Sequence, residues 1–219
     1  MNPAAPQGGP LVTIIDLEVQ NILSVENAFR VIGAQVRVVK DAAGVQDAGF
    51  LVLPGVGAFG AAMARMRETG LHEAVRRHAL ERKRPVLGLC LGMQLLADGS
   101  AEYGQNDGLG LVPGRVTLLQ ESPPEFRVPN VGWREVRATG NSAVLPASTH
   151  SYYHVHSYHM QCVDPSHVAG VSRFGPQDIA SIVHRGNVFG TQFHPEKSQD
   201  AGLDLLHAVL HGLHEGVAA

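Results

Sequence analysis

Cysteine is scarce in this 219-residue chain: there are two, and neither has the spacing of a metal-ligand pair. That excludes a disulfide scaffold and points to a reducing compartment. Strong charge of either sign is missing as well. A net charge of −3 gives no basis for a nucleic-acid or membrane surface. No apolar run approaches the ~20 residues needed to cross a bilayer. The Pro/Gly/Ala-rich start lacks the basic region and apolar core of a signal peptide, so residues 1–10 are expected to be a disordered lead-in. Neither an internal repeat nor an inter-domain linker is visible. Residues 11–219 are therefore expected to be one domain, large enough to bury its own core and cytoplasmic.

What is present centres on Pro85-Val86-Leu87-Gly88-Leu89-Cys90-Leu91-Gly92-Met93-Gln94-Leu95-Leu96. An apolar run leads to Gly88, and Cys90 stands midway between Gly88 and Gly92. Apolar residues then recur at helical spacing. This pattern predicts a strand, a sharp turn and a helix, the Gly-x-nucleophile-x-Gly elbow with cysteine in place of serine. A nucleophile on such a turn takes a strained backbone, so its neighbours must be small. A helix starting at the cysteine favours thiolate over thiol and leaves backbone N–H groups free for an oxyanion. The alternative for Cys90 alone is a small buried hydrophobe ending a core strand.

Short apolar runs at 11–16, 36–39 and 50–53 alternate with helical patterns, which predicts right-handed βαβ units and a parallel sheet. Ser24 is expected to cap a helix running to about residue 31, and Gly33 to stop it. Pro54-Gly55-Val56-Gly57-Ala58-Phe59-Gly60 follows the third run directly, on the sheet edge where open α/β proteins bind ligands. It lacks the Gly-Lys-Ser/Thr ending of a phosphate loop. Helical patterns at 61–68 and 71–82 lead back to the elbow. Residues 99–114 are glycine-rich and predicted to form a surface loop. From residue 115 on, runs at 116–119, 131–136, 152–157, 167–174, 179–184 and 187–194 predict antiparallel strands grafted on one side of the parallel sheet. A closing amphipathic helix is expected at 198–211. The fold class is α/β, a mostly parallel sheet flanked by helices with an added antiparallel set.

A second signal, Gln192-Phe193-His194-Pro195-Glu196-Lys197-Ser198, ends the last run. On an extended chain His194 and Glu196 would face one side. If His194 abuts Cys90, Glu196 stands behind it to hold the imidazole tautomer, completing a Cys-His-Glu triad.

On these residues the chain resembles the class I, triad-type glutamine amidotransferases, and among them the glutaminase subunits of imidazole glycerol phosphate synthase. The pieces that carry the resemblance are Pro54-Gly55-Val56-Gly57, the elbow, Val131-Gly132-Trp133, His156-Ser157-Tyr158 and the His-Pro-Glu-Lys-Ser segment. The resemblance implies hydrolysis of L-glutamine to glutamate and ammonia. The ammonia would pass to a partner cyclase of (β/α)₈-barrel fold in histidine biosynthesis. It assigns Cys90, His194 and Glu196 to catalysis and the backbone N–H groups of Val56 and Leu91 to the oxyanion hole. Gly57, Gln94, His156, Ser157 and Tyr158 would hold glutamine, with Trp133 and Lys197 at the partner interface. No cofactor or metal is required. Two stretches depart from the family pattern: Glu18-Val19-Gln20-Asn21, and Pro129-Asn130-Val131-Gly132-Trp133-Arg134, both toward the partner side in relatives.

Other features take structural readings. His150, His154, His156 and His159 cluster, but their spacing suits alternating strand faces and no cysteine or carboxylate completes a metal site. Cys162 reads as a buried filler. The run of Arg76, Arg77, Glu81, Arg82, Lys83 and Arg84 reads as a solvated helix end. Two rivals remain at this level: a glutaminase serving another synthase, and a non-catalytic binding module on the same fold.

Overall fold

A computed structural model describes residues 8–18, 22–122, 124–145 and 148–215. Most of the expected lead-in, and residues 19–21 of the atypical first turn, lie outside them.

The centre is a nine-stranded mixed sheet. Its parallel half consists of β1 (Leu11–Ile15), β2 (Gln35–Val39), β3 (Phe50–Gly55), β4 (Val86–Cys90) and β13 (Val188–Thr191). The antiparallel half continues through β12 (Gln177–Arg185), β11 (Val168–Phe174), β8 (Asn130–Ala138) and β9 (Thr149–His156). The spatial order is β2-β1-β3-β4-β13-β12-β11-β8-β9, which places β3, β4 and β13 side by side. Loops following three sequence-distant strands thereby converge on one edge.

Strand β3 shows why this half is so apolar. It is buried throughout, and its side chains alternate between two cores. Phe50 and Val52 join the core under α1 (Leu23–Val31) and α6 (Gln199–Glu215). Leu51 and Leu53 join the one under α3 (Phe59–Glu68), α4 (Leu71–Arg76) and α5 (Leu91–Leu95), the side that also carries the short α2 (Ala42–Val45). A parallel strand covered on both faces must be hydrophobic at every position.

The helix boundaries show local chemistry at work. Gly33, at φ +88°, ends α1 in a Schellman motif: its N–H donates to Arg30 O, and Ala34 N–H to Phe29 O at 3.0 Å. Ser24 is not the cap, because α1 begins at Leu23 with Ile22 before it and no side-chain cap bond. The helix from Leu71 is not a plain α-helix to residue 82. It passes into a π-turn over Arg77–Glu81, where the buried His78 donates from Nε2 to Pro85 O at 3.1 Å.

The expected loop at 99–114 is not a surface excursion. It holds β5 (Gly99–Ser100) and β6 (Asn106–Asp107), and Leu109, Leu111 and Val112 are buried. Backbone N–H groups of Leu109, Leu111 and Val112 donate to Leu95 and Leu96 carbonyls, satisfying acceptors left open at the end of α5. The run at 116–119 also departs from expectation. As β7 (Gly114–Leu118) it joins a separate four-stranded sheet with β5, β6 and β10 (Tyr158–Cys162), a strand that the sequence pattern did not predict.

The basic run is not merely solvated: Arg76, Arg82 and Arg84 donate to the Leu109, Gln46 and Ala48 carbonyls. Cys162 is half-buried against Met160, and burial together with Asp164 pushes its thiol up to about 11.

Candidate active site

Cys90 ends β4 at φ 53°, the left-handed strain expected of an elbow nucleophile. The flanking glycines are dictated by contact. A Cβ on Gly92 would lie 1.6 Å from Leu53 O, and one on Gly88 would lie 2.6 Å from Gly92 O. Either residue with a side chain would force the turn apart. The sulfur is nearly buried, with 6% of the residue exposed, and lies 3.9 Å from the Val155 carbonyl.

His194 arrives from the end of β13. Its N–H donates to Tyr153 O at 3.0 Å, and its carbonyl accepts from Ser198 Oγ at 2.6 Å. Nδ1–H donates to Glu196 Oε1 at 2.8 Å. The two side chains do not align along an extended strand, however. Pro195–Lys197 form a 3₁₀ turn that folds Glu196 back onto the ring. Nε2 is buried with no other hydrogen-bond partner, and Cys90 stands beside it. Burial opposes a charge on His194. The Cys90 sulfur and the Glu196 carboxylate outweigh it and raise the imidazole to about 10. The arrangement favours a sulfur–imidazolium pair with a carboxylate behind it.

This pair opens into a cavity of about 300 Å³, at the lower end of small-molecule sites. Every oxyanion and substrate residue expected from the sequence lies on its wall: Val56, Gly57, Leu91, Gln94 and residues 156–158. Gln94 Nε2 donates to Tyr158 O at 2.9 Å and to Gln192 Oε1 at 3.1 Å, joining two sides of the wall. Glu102 and Tyr103 also line it and were missed. Glu102 Oε2 accepts the Phe59 N–H at 2.7 Å, tying the start of α3 to the cavity. A single carboxylate in a glycine-rich stretch carries no motif, so only the fold reveals it.

A smaller cavity of about 220 Å³ lies across Val56 and His194, with Glu196 and Lys197 on its wall. Lys197 is exposed, and Trp133 is 46% exposed on the outer face of β8 beside Val131 and Val155. Tyr153 links these places. Its ring meets Trp133 edge-on at 6.2 Å, and its N–H donates to Ser198 Oγ at 3.0 Å.

His154 and His156 share the inner face of β9 instead of alternating, and they bond to each other at 3.2 Å. Among the described residues no three His, Cys, Asp or Glu side chains form a metal-holding group. No described helix is long and apolar enough to cross a membrane.

The chain belongs to the class-I glutamine amidotransferase family, whose sequence profile matches residues 13–209. The fold agrees. The crystal structure of a glutamine amidotransferase superposes with TM-score 0.70 at 19% identity, covering 95% of this chain and 99% of the other. The structure of PurLQS from Thermotoga maritima gives 0.71 at 19%, covering 94% and 99%. Nearer in sequence is the imidazole glycerol phosphate synthase subunit HisH 2 of Nitrobacter winogradskyi, 40% identical over 89% of this chain and 95% of that protein. The HisH subunit of Moorella thermoacetica is 43% identical over 89% and 91%.

Proposed function

We propose that this protein is the glutaminase subunit of an imidazole glycerol phosphate synthase, hydrolysing L-glutamine and delivering ammonia to a cyclase partner in histidine biosynthesis. The observation that carries the reading is the meeting of Cys90 with the His194–Glu196 pair at one end of the 300 Å³ cavity. The names of the relatives support the subfamily.

In this mechanism Cys90 Sγ attacks the side-chain amide carbon of glutamine. The oxyanion is held by the backbone N–H groups of Val56 and Leu91. The protonated His194 Nε2 gives its proton to the departing nitrogen, releasing ammonia and leaving a glutamyl thioester. His194 then takes a proton from water, whose oxygen attacks the thioester and frees glutamate. Glu196 keeps Nδ1 protonated so that Nε2 faces the chemistry. Gly57, Gln94 and residues 156–158 hold the substrate, and the Glu102 carboxylate matches its α-ammonium group. Neither metal nor cofactor enters these steps.

Residues 11–219 work as one glutaminase domain, which the match over 13–209 supports. The partner is a (β/α)₈-barrel cyclase docking over Trp133 and Lys197, and the exposed apolar face of β8 and β9 supports that choice. A cytoplasmic place of action belongs to the same reading, supported by two unpaired cysteines.

The test is glutamate release from glutamine, by the protein alone and with a histidine-pathway barrel cyclase and its nucleotide. A large rise in the mixture is expected. Equal turnover in both would assign the glutaminase to another synthase, and no turnover in either would overturn the enzyme reading.

A further inference from the structure

One wall of the cavity is tied to a pair of side chains that the catalytic chemistry does not use. Asn130 of β8 lies directly opposite His156 of β9, and Arg134 follows on the same inner face. Hydrogen-bond chemistry assigns a direction to each contact between them. A guanidinium only donates, so Arg134 Nε–H gives to Asn130 Oδ1 at 2.9 Å. The Asn130 amide nitrogen is then the group facing His156 Nε2 at 3.1 Å, and it must donate. A carbonyl only accepts, so His156 Nδ1–H gives to Tyr158 O at 2.9 Å. One neutral tautomer satisfies both contacts, with the proton on Nδ1 and the lone pair on Nε2. His154 Nδ1, 3.2 Å away, adds a second donor to that lone pair. Burial, with His159, His194 and Arg134 nearby, lowers His156 to about 4 against the pull of the Tyr158 carbonyl, so the ring is neutral. The Tyr158 carbonyl also accepts from Gln94 Nε2, which extends the line of bonds to a second wall residue.

We propose that Arg134 and Asn130 are positioning residues for the glutamine pocket. They lock the His156 ring and, through the Tyr158 carbonyl, hold the 156–158 wall and Gln94 in register with Cys90. With both ring nitrogens committed, His156 contributes to holding the substrate through the shape of the wall it braces and not through a ring hydrogen bond. This rests on the glutaminase reading of the cavity.

The test compares Asn130→Leu, Arg134→Met and Arg134→Lys in the complex with the barrel cyclase. Losing one buried hydrogen bond should raise KM for glutamine about tenfold in the first two variants. Their kcat should stay within about twofold of wild type, because the reacting atoms are untouched. Lysine keeps one donor and should recover most of the loss. Nitrogen-15 spectra of the imidazoles in the full chain give a readout independent of turnover. Wild type should show His156 as the Nδ1–H tautomer, and Asn130→Leu a mixture. An Nε2–H tautomer in wild type overturns the proposal. So does an unchanged KM in Asn130→Leu, or a fall in kcat with KM unmoved. If Asn130→Leu fails to fold, the Met and Lys variants decide by the same criteria. If the wild-type complex releases no glutamate, the glutaminase reading fails, while the wild-type tautomer still decides the brace.

Discussion

Two histidines line the same cavity and are driven to opposite charge states. His194 is raised to about 10, while His156 is lowered to about 4. Both are buried, so burial alone does not separate them. The difference lies in what each faces. His194 has a carboxylate and a sulfur, groups that reward a positive charge. Around His156 the amide N–H, the second imidazole and the guanidinium beyond them do not, and the one group that does, the Tyr158 carbonyl, is outweighed by burial. The nucleophile end of the cavity is therefore arranged to move protons, and the opposite wall to hold still.

Cys90→Ala should break the comparison most completely. Without the sulfur, glutamate release should vanish while the complex with the cyclase still forms; turnover above background would remove Cys90 from its role. Glu196→Gln should lower turnover about 10²-fold, the low end for a positioned acid–base group. Removing the carboxylate disfavours imidazolium, so the alkaline limb of kcat/KM should move to lower pH. An unmoved limb would mean that Glu196 does not set the charge of His194.

Trp133→Ala probes the outer face of the hairpin whose inner face carries the brace. A half-exposed aromatic anchor should cost about 2 kcal/mol of partner affinity, roughly a thirtyfold rise in Kd. Unchanged affinity would place docking elsewhere.

The smallest effect is on stability against pH. His78, His156 and His159 are all lowered to about 4, chiefly by burial. Between the usual histidine range and pH ~4 the unfolded chain binds their protons and the folded one does not, so stability falls as pH falls through that window. For the raised His194 the sign reverses. Its contribution is complete below the unfolded value of 6.5 and disappears as pH rises through about 10. Melting temperature should therefore peak between these windows, and His194→Gln should flatten the alkaline side only. An unchanged alkaline slope in that variant would show that His194 does not carry it.

What was legible in advance follows the range of the interactions concerned. The elbow was readable because the tightness of its turn is set within the turn, as Gly88 against the Gly92 carbonyl shows. Gly33 was readable for the same reason. Ser24 misled because a capping residue states only a preference: α1 begins at Leu23, two residues before the start that a Ser24 cap would give, with Ile22 in the cap position. His-Pro-Glu was found for a partly mistaken reason. The contact forms by a 3₁₀ turn that proline favours, not by the period of a strand. The 99–114 segment was misplaced because its glycines suggest solvent, whereas Gly108 is small to let the chain pass the Ala97 carbonyl.

The chain's own order thus determined the strand-and-helix alternation, the strained cysteine and the adjacent histidine and glutamate, since each depends on neighbours a few residues away. The folded sheet alone decided that Cys90 meets His194, that Glu102 reaches the Phe59 N–H, and that Asn130 stands opposite His156. It also decided which histidine carries charge. These depend on strand register and on what lies across a buried space, and sequence spacing does not encode the distance between residues brought together by packing.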